Sequence, residues 1–328
     1  MASIEDVARE AKVSIATVSR VLNNPEIVSE KTKKLVLDAI DKLNYTPNML
    51  ARNLASRKTN TIAVISQEIA GPFFGELSLR INEAAIKSGY GVLFCNSSKE
   101  FDYVRFLIGK VDGVLIVGYA HVDNKHLKML ISQNIPTILI QSSKKLKSIP
   151  TINIDNFNGA YKATSYLIQK GCKKIIHIHG PKNHFEAIER FEGFKKALED
   201  NSIPFNKNMV IYGNFMMQPA YENCLKTLKK YDVDGIFASS DLMAYAAILA
   251  AKDLGINVPD KLKVIGFDDI EYYSLNIANV PSLTTIRQPL DIIAITAVNL
   301  MKDMLDGKKV LNQHIVLPAD LIVRKSAD

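Results

Sequence analysis

The 328-residue chain has no tryptophan and only three cysteines, Cys95, Cys172 and Cys224, too far apart for a paired metal or redox motif. They are expected as reduced thiols, as in a cytoplasmic protein. No run of 18 apolar residues is present to span a bilayer, and the N-terminus reads as a mixed-charge helix, unlike a signal peptide. The chain is therefore expected in the cytoplasm and away from the membrane. A phosphate-cradling glycine loop is missing, as are G-x-S-x-G and any nucleophile with an adjacent base, so an enzyme is not expected. His177 and His179 share one face of a strand pattern and His184 follows, but no third ligand has fitting spacing. Neither a metal nor a cofactor is expected.

Acidic residues are in deficit, with 34 Asp/Glu against 41 Lys/Arg and a net charge of +7. The excess is denser at the start, where residues 1–58 hold ten Lys/Arg and seven Asp/Glu. That balance suits a phosphate-contacting role without establishing one.

The N-terminal residues carry helical periodicity. Ile4, Val7, Ala8 and Ala11 form an apolar stripe, with Ser3 as the cap and Asp6 three residues on. Only Lys12 and Val13 separate this segment from "SIATVSRVLN" (14–23). Wound as a helix, that stretch puts Val18, Val21 and Leu22 on one face and Ala16, Arg20 and Asn23 on the other, with Ser19 beside them. Two helices joined so tightly must cross at a large angle, which is helix-turn-helix geometry, and the second is free to enter a DNA major groove. A third run, Lys31 to Leu43, presents Leu35, Val36, Ala39, Ile40 and Leu43 to close a three-helix core.

The next stretch, "YTPNMLARNLASRKTN" (45–60), offers Pro47 as a helix start and then about eight residues in which Leu50 and Leu54 share a face. An isolated helix needs roughly 12–15 residues to be even marginal in water, so this linker is expected to become helical only when something orders it. A leucine flanked by Arg52 and Arg57 is the combination that minor-groove insertion requires. A flexible tether between domains would read the same way.

From Thr61 short apolar runs alternate with amphipathic segments, and after Phe157 the pattern restarts. Strands that are apolar throughout, alternating with helices, predict parallel sheets covered on both faces. Two series of about five units predict two α/β lobes. "VDGVLI" (111–116) and "VDGIFA" (233–238) hold the third-strand place in each series, as two copies of one fold would. In such sheets ligands bind beyond the carboxyl ends of the strands. The residues expected there are Phe73, Phe74, His184, Arg190, Phe215, Asp241, Asp268 and Asp269. Aromatic faces with an arginine and carboxylates suit a polyhydroxylated or heterocyclic ligand. Singly, each also fits a structural role: Phe74 as core, Asp241 as a helix cap, Asp269 in a salt bridge between lobes.

Six stretches together resemble the lactose/galactose repressor family of bacterial transcription regulators: "IEDVAREAKVSIATVSRVLNN", "YTPNMLARNLASRKTNTIAVI", "DNFNGAYKATSYLIQKG", "RFEGFKKAL", "SSDLMAYAAILAAKDLGINVPDKLKVIGFDDIE" and "PSLTTIRQP". The resemblance covers nearly the whole chain. It implies an all-α helix-turn-helix head (1–45), a hinge helix and linker (46–60), and an α/β core (61–328) of two periplasmic-binding-protein-like, Rossmann-like lobes with parallel sheets. The first lobe would take about 61–157 plus 288–318, and the second about 158–287 plus 319–328. Ile15, Ala16 and Arg20 match the family's base-reading residues, and Ser3, Ser14, Thr17, Ser19 and Asn23 its phosphate contacts. Tyr45 and Asn48, at the start of the linker, are counted with the DNA-contacting candidates, and Leu54 matches the hinge leucine inserted in the minor groove. Phe73, Arg190, Phe215, Asp241 and Asp268 match positions of the effector cleft.

The resemblance implies a dimeric DNA-binding regulator, expected to be a repressor, on palindromic double-stranded operator DNA. Its control would come from a small molecule, a sugar or sugar phosphate, in the cleft. The chain departs from the family at Lys12, where a glycine usually makes the turn, and between Asn96 and Val111, which is several residues short and clips a helix near the surface through which relatives dimerise. No heptad tail follows Asp328, so a dimer is expected. Two alternatives remain: a solute-binding protein or sugar-processing enzyme that shares the two-lobe core, and a carbon-catabolite regulator whose co-repressor is a phosphorylated carrier protein.

Overall fold

In the computed structural model, residues 2–46, 58–67, 69, 71–118, 122–143, 148–270, 280–310 and 313–328 are described, without the side chain of Asn23. The chain divides into two compact units, Met1–Thr59 and Asn60–Asp328. The linker residues Asn48, Leu50, Arg52, Leu54 and Arg57 lie outside the described residues.

The first unit contains α1 (Ile4–Glu10), α2 (Ile15–Asn23) and α3 (Glu30–Lys42). Each begins on a serine whose hydroxyl accepts a backbone N–H three residues on: Ser3 from Asp6, Ser14 from Thr17 and Ser29 from Thr32. Asp6 reaches back to the Ser3 backbone, which completes a capping box. Val7, Ala8, Ala11, Val18, Val21, Val36 and Ala39 form the core of this unit. Leu35 departs from the expected stripe. It is 47% exposed, because Val36 and Ala39 already fill the seam with Ile40 and Leu43 beside them, which leaves Leu35 on the outer edge of α3.

Lys12 ends α1 at φ +54°. The Val13 N–H bonds to the Ala8 carbonyl at 3.0 Å and the Lys12 N–H to the Arg9 carbonyl at 3.3 Å, the paired closure that usually has glycine at the left-handed position. The chain therefore makes the tight turn between its first two helices with a residue poorly suited to that backbone.

The second unit opens with β1 (Thr61–Ser66), α4 (Pro72–Lys87), β2 (Gly91–Asn96), α5 (Tyr103–Leu107), β3 (Gly113–Val117), α6 (Asn124–Ser132), β4 (Thr137–Ile140) and β5 (Thr151–Ile154). It continues with α7 (Asn156–Gln169), β6 (Ile175–His179), α8 (Phe185–Asp200), β7 (Val210–Tyr212), α9 (Met217–Lys230), β8 (Gly235–Ala238), α10 (Asp241–Asp253), β9 (Lys263–Asp268) and β10 (Thr284–Arg287). The chain closes with α11 (Leu290–Leu305), β11 (His314–Leu317) and β12 (Asp320–Ile322). One sheet has the order β11-β5-β4-β3-β1-β2 and is parallel throughout; the other runs β12-β10-β9-β8-β6-β7, with only β12 antiparallel. The two "VDG" strands β3 and β8 sit in equivalent places, each between the first and fourth strands of its series.

Central strands are buried along nearly their whole length, whereas the edge strands β2, β7, β11 and β12 alternate or lie half open. The reason is coverage: helices close both faces of the sheet, so only an edge strand meets water. Phe194, Phe237 and Phe267 are among the largest fully buried side chains, each worth about 1.5–3 kcal/mol by burial. Gly193 lets α8 lie against α7, since a Cβ there would fall 2.1 Å from the Phe157 carbonyl oxygen. The five residues of α5 fit the shortened segment between Asn96 and Val111. The chain crosses between the sheets after Ile154, Arg287 and Leu317, so their carboxyl ends are tied at one boundary.

Candidate functional site

Two regions collect the candidate residues. On the first unit, α2 turns Val18 and Val21 inward and leaves Ser14, Ile15, Ala16 and Arg20 exposed, with Ile15 47% open. Thr17 and Ser19 are half-buried beside them. The Ser14 and Thr17 hydroxyls lie 2.9 Å apart, so the open N-terminus of α2 carries two hydroxyls and its first backbone N–H groups at one place. Such an end favours an anion. Ser3 is exposed at the start of α1, and the Tyr45 ring packs against the core of the unit.

In the second unit a cavity of about 480 Å³ opens between the carboxyl ends of the two sheets. Phe73, Phe74, His184, Arg190, Phe215 and Asp268 all reach its wall. Phe74 is only 3% exposed and packs edge-on against Phe94, so its larger share lies in the core. Asp241 does not line the cavity and corrects the expectation placed on it. It is 2% exposed, and its carboxylate accepts the Ile270 backbone N–H at 2.8 Å and the Thr285 hydroxyl at 2.5 Å, which ties α10 to β9 and β10 behind the wall. Asp269 also turns away. It pairs with Arg287 and Arg324 at 2.7 Å each, within the second lobe and not between the lobes.

Arg190 is the centre of the cavity wall. It is 3% exposed; its Nε donates to Asn156 Oδ1 at 2.8 Å, and one terminal nitrogen donates to the Ser239 carbonyl at 2.6 Å and approaches Asp268 Oδ1 at 3.5 Å. The Phe267 ring lies 3.7 Å beneath the guanidinium carbon. Behind Ser239, its hydroxyl meets His177 Nε2 at 3.2 Å. The other terminal nitrogen has no hydrogen bond to any described residue, so its two N–H groups remain available. Its two N–H bonds diverge from one nitrogen and can be donated to two separate ligand oxygens.

Asp268 also accepts from Gln288 Nε2 at 2.6 Å, and the Gln288 side-chain oxygen accepts from Gln141 Nε2 at 2.6 Å. The chain of contacts Gln141, Gln288, Asp268, Arg190 therefore runs from the end of β4 in one sheet to α8 over the other. Burial pushes the Asp268 carboxyl up to about 6, against the pull of Arg190 and Gln288. Burial and the Asp268 charge hold Asp241 well above the usual carboxylate range. Burial lowers His184, which favours its neutral imidazole.

The backbone is strained at the same place. Gln141 at φ +54°, Asn214 at +54°, Phe215 at +59° and Asp268 at +124° all occupy conformations disfavoured for residues with a Cβ. Gly180 makes room for Phe215, because a Cβ there would lie 2.5 Å from its ring. His177 and His179 are buried among Phe191, Phe194, Phe237 and Tyr212, so they belong to the packing of the second lobe. Sequence reading missed Gln141, Gln288 and Asn156. Their amides carry no charge; Asn156 and Gln288 lie in two of the stretches that carry the family resemblance, and that and their position at strand ends were the signals that pointed to them.

Comparison with known proteins gives consistent matches. Residues 3–48 match the family described as bacterial regulatory proteins, lacI family, and residues 164–327 match the periplasmic binding protein-like domain. The chain is 39% identical to the HTH-type transcriptional regulator RegA of Clostridium acetobutylicum, over 99% of both chains. It is 36% identical to the ribose operon repressor of Halalkalibacterium halodurans, over 99% of this chain and 97% of that one. Among solved structures, it is similar to the lac repressor dimer bound to operator and the anti-inducer ONPF, with a TM-score of 0.86, 26% identity and coverage of 99% and 98%.

Proposed function

The chain belongs to the lacI family of bacterial regulatory proteins, and from that premise we propose that it is a dimeric repressor whose affinity for a palindromic operator is set by a sugar held against Arg190. It is a DNA-binding transcriptional regulator, and its action is to couple two sites. Ile15, Ala16 and Arg20 read base edges, while Ser3, Ser14, Thr17, Ser19 and Asn23 contact phosphates, with Tyr45, Asn48 and Leu54 completing the DNA contacts. Phe73 and Phe215 sandwich the ligand, Arg190 and Asp268 bind its hydroxyls, and His184 and Phe74 close the wall. The reading assigns no catalytic role to any residue and places the protein in the cytoplasm. Among the described residues no helix is long and apolar enough to cross a membrane.

The observation that carries the effector reading is Arg190: a buried cation that lines the cavity, with three donors spent on the protein and a further pair left to donate to a ligand. Self-association is supported by the exposed apolar side chains Leu79 and Ile86 on α4 and Ile292 and Ile295 on α11, two helices that pack together. Control follows from linkage: a sugar changes operator affinity only by the difference in its affinity for the two states, typically about 1–3 kcal/mol.

Fluorescence anisotropy of the full chain on a pool of palindromic duplexes, repeated with sugars present, tests this. Tight, salt-dependent binding to one palindrome that a sugar shifts is expected. Equal binding to palindromic and random duplexes, with and without every sugar, would sink the reading.

A further inference from the structure

A second cavity, of about 560 Å³, adjoins the first on the side of β2 and α5, and the two share Gly118, Gln141 and Glu186 as wall. We propose that the two are compartments of one effector site and that the effector is a neutral two-ring sugar, one ring against Arg190 and the other against Tyr103. This rests on the sugar-effector reading above and narrows it.

The junction decides the chemistry. Glu186 is 7% exposed and lines both compartments, and no side chain among the described residues donates to its carboxylate. Gln141 gives its backbone N–H to the Ile152 carbonyl at 2.8 Å and its amide nitrogen to Gln288, which leaves its side-chain oxygen as the group on offer. The Gly118 N–H is spent on the Ile140 carbonyl at 2.8 Å. The neck between the compartments therefore presents the Glu186 carboxylate, whose hydrogen-bond partner among the described residues is its own backbone N–H, and the Gln141 amide oxygen as acceptors to which a ligand can bring donors. A chain of hydroxyls on either side of a glycosidic bond supplies them, and an anionic group does not.

The second compartment fits a ring. Tyr103 and Phe101 contact at 4.6 Å between ring centres and offer an aromatic wall, and Ser98 and Asn183 add polar groups that suit hydroxyls. Among the described residues its charge is acidic, with Asp102, Asp123 and Glu186 against Lys99, and His126 held between the two aspartates at 3.4 and 2.9 Å. Among the described residues the first compartment sets Glu186 and Asp268 against Arg190. A phosphorylated sugar would meet net negative charge in both. Each cavity is of single-ligand size, so a monosaccharide would leave one of them to water.

Calorimetric titration of the full chain tests the assignment, with glucose, ribose, glucose 6-phosphate, maltose, cellobiose, lactose, trehalose and sucrose as probes. One of the neutral disaccharides is expected to bind at least about tenfold tighter than any monosaccharide, an advantage carried by added contacts in the second compartment. Ser98→Trp, which fills that compartment, is expected to erase the difference between disaccharide and monosaccharide. Glu186→Gln, which keeps the shape, is expected to weaken the disaccharide about tenfold by removing the charged acceptor. A monosaccharide or glucose 6-phosphate as the tightest ligand, or a disaccharide advantage unchanged in Ser98→Trp, would overturn the two-compartment assignment while leaving the sugar reading in place. No binding by any of the eight probes would overturn both.

Discussion

The α2 face and the Arg190 cavity are both proposed as binding surfaces, yet they are built on opposite terms. On α2 the reading residues stand in water. Ile15 and Arg20 are exposed, and the helix is held from its other side by Val18 and Val21. At the cavity the polar residues are themselves buried, and each is fixed by another: Arg190 by Asn156 and Ser239, Asp268 by Gln288, Gln288 by Gln141. An exposed surface can change its specificity by single substitutions without disturbing the fold, whereas a buried network cannot give up a member without leaving a charge or a donor bare. The first arrangement suits a partner as large as DNA, which brings its own shape; the second suits a small ligand, for which the protein must supply all the order.

Substitutions at the two sites should separate these terms. The largest effect is expected for Arg190→Ala, which strands the Asp268 carboxylate in the interior: denaturant unfolding should show a loss of about 3–5 kcal/mol, and calorimetry the loss of effector binding. A variant that binds no sugar yet unfolds like the parent would mean that the network is not structural. Arg20→Ala should do the reverse. Its cost of about 1–3 kcal/mol should fall on operator discrimination, read by competition between matched and mismatched duplexes, with stability unchanged within about 0.5 kcal/mol.

A third test uses pH. With Asp268 at about 6, acidification neutralises the carboxylate proposed to accept sugar hydroxyls, so effector affinity should fall by up to about tenfold per pH unit below 6 and stay flat above it. The stability contribution has the opposite sign. A carboxyl raised above its unfolded value favours the folded chain fully below that value, and the contribution is lost as pH rises through about 6. Titrations and melts across pH 4.5–8 should therefore trend in opposite directions for this group (roughly one unit on either side of its midpoint). The smallest effect is expected at the turn of the DNA-reading unit. Lys12→Gly relieves a left-handed lysine and should stabilise by about 1 kcal/mol, while the slope of operator affinity against salt falls by about one if the lysine contacts a phosphate.

The DNA-reading unit was almost wholly legible from its sequence. The apolar stripes, the serine caps and the polar face of "SIATVSRVLN" are local patterns, and a helix of 3.6 residues per turn turns them directly into faces. Leu35 is the exception, because the periodicity allowed it inside and only the packing of Val36 and Ala39 shows that the seam was already full. In the core the strands and the repeat of "VDG" were equally legible, since parallel strands covered on both faces must be apolar throughout. The site was legible only as a set of strand ends. Which of those residues face the ligand was not.

What the sequence determined by itself is the order of parts and their class: a helix-turn-helix, a linker, and two α/β lobes whose strand ends must hold the ligand. What the tertiary structure alone decided is who meets whom. Asp241 and Asp268 look equally plausible in the chain, yet one is tied to Ile270 and Thr285 behind the wall while the other faces the cavity with Arg190. Gln141 and Gln288 carry no charge to single them out and become a link between the lobes only when the crossover after Arg287 brings them together. The physical reason is range: propensity, capping and periodicity act within a few residues, whereas the direction of a buried polar side chain is fixed by partners tens to hundreds of residues away.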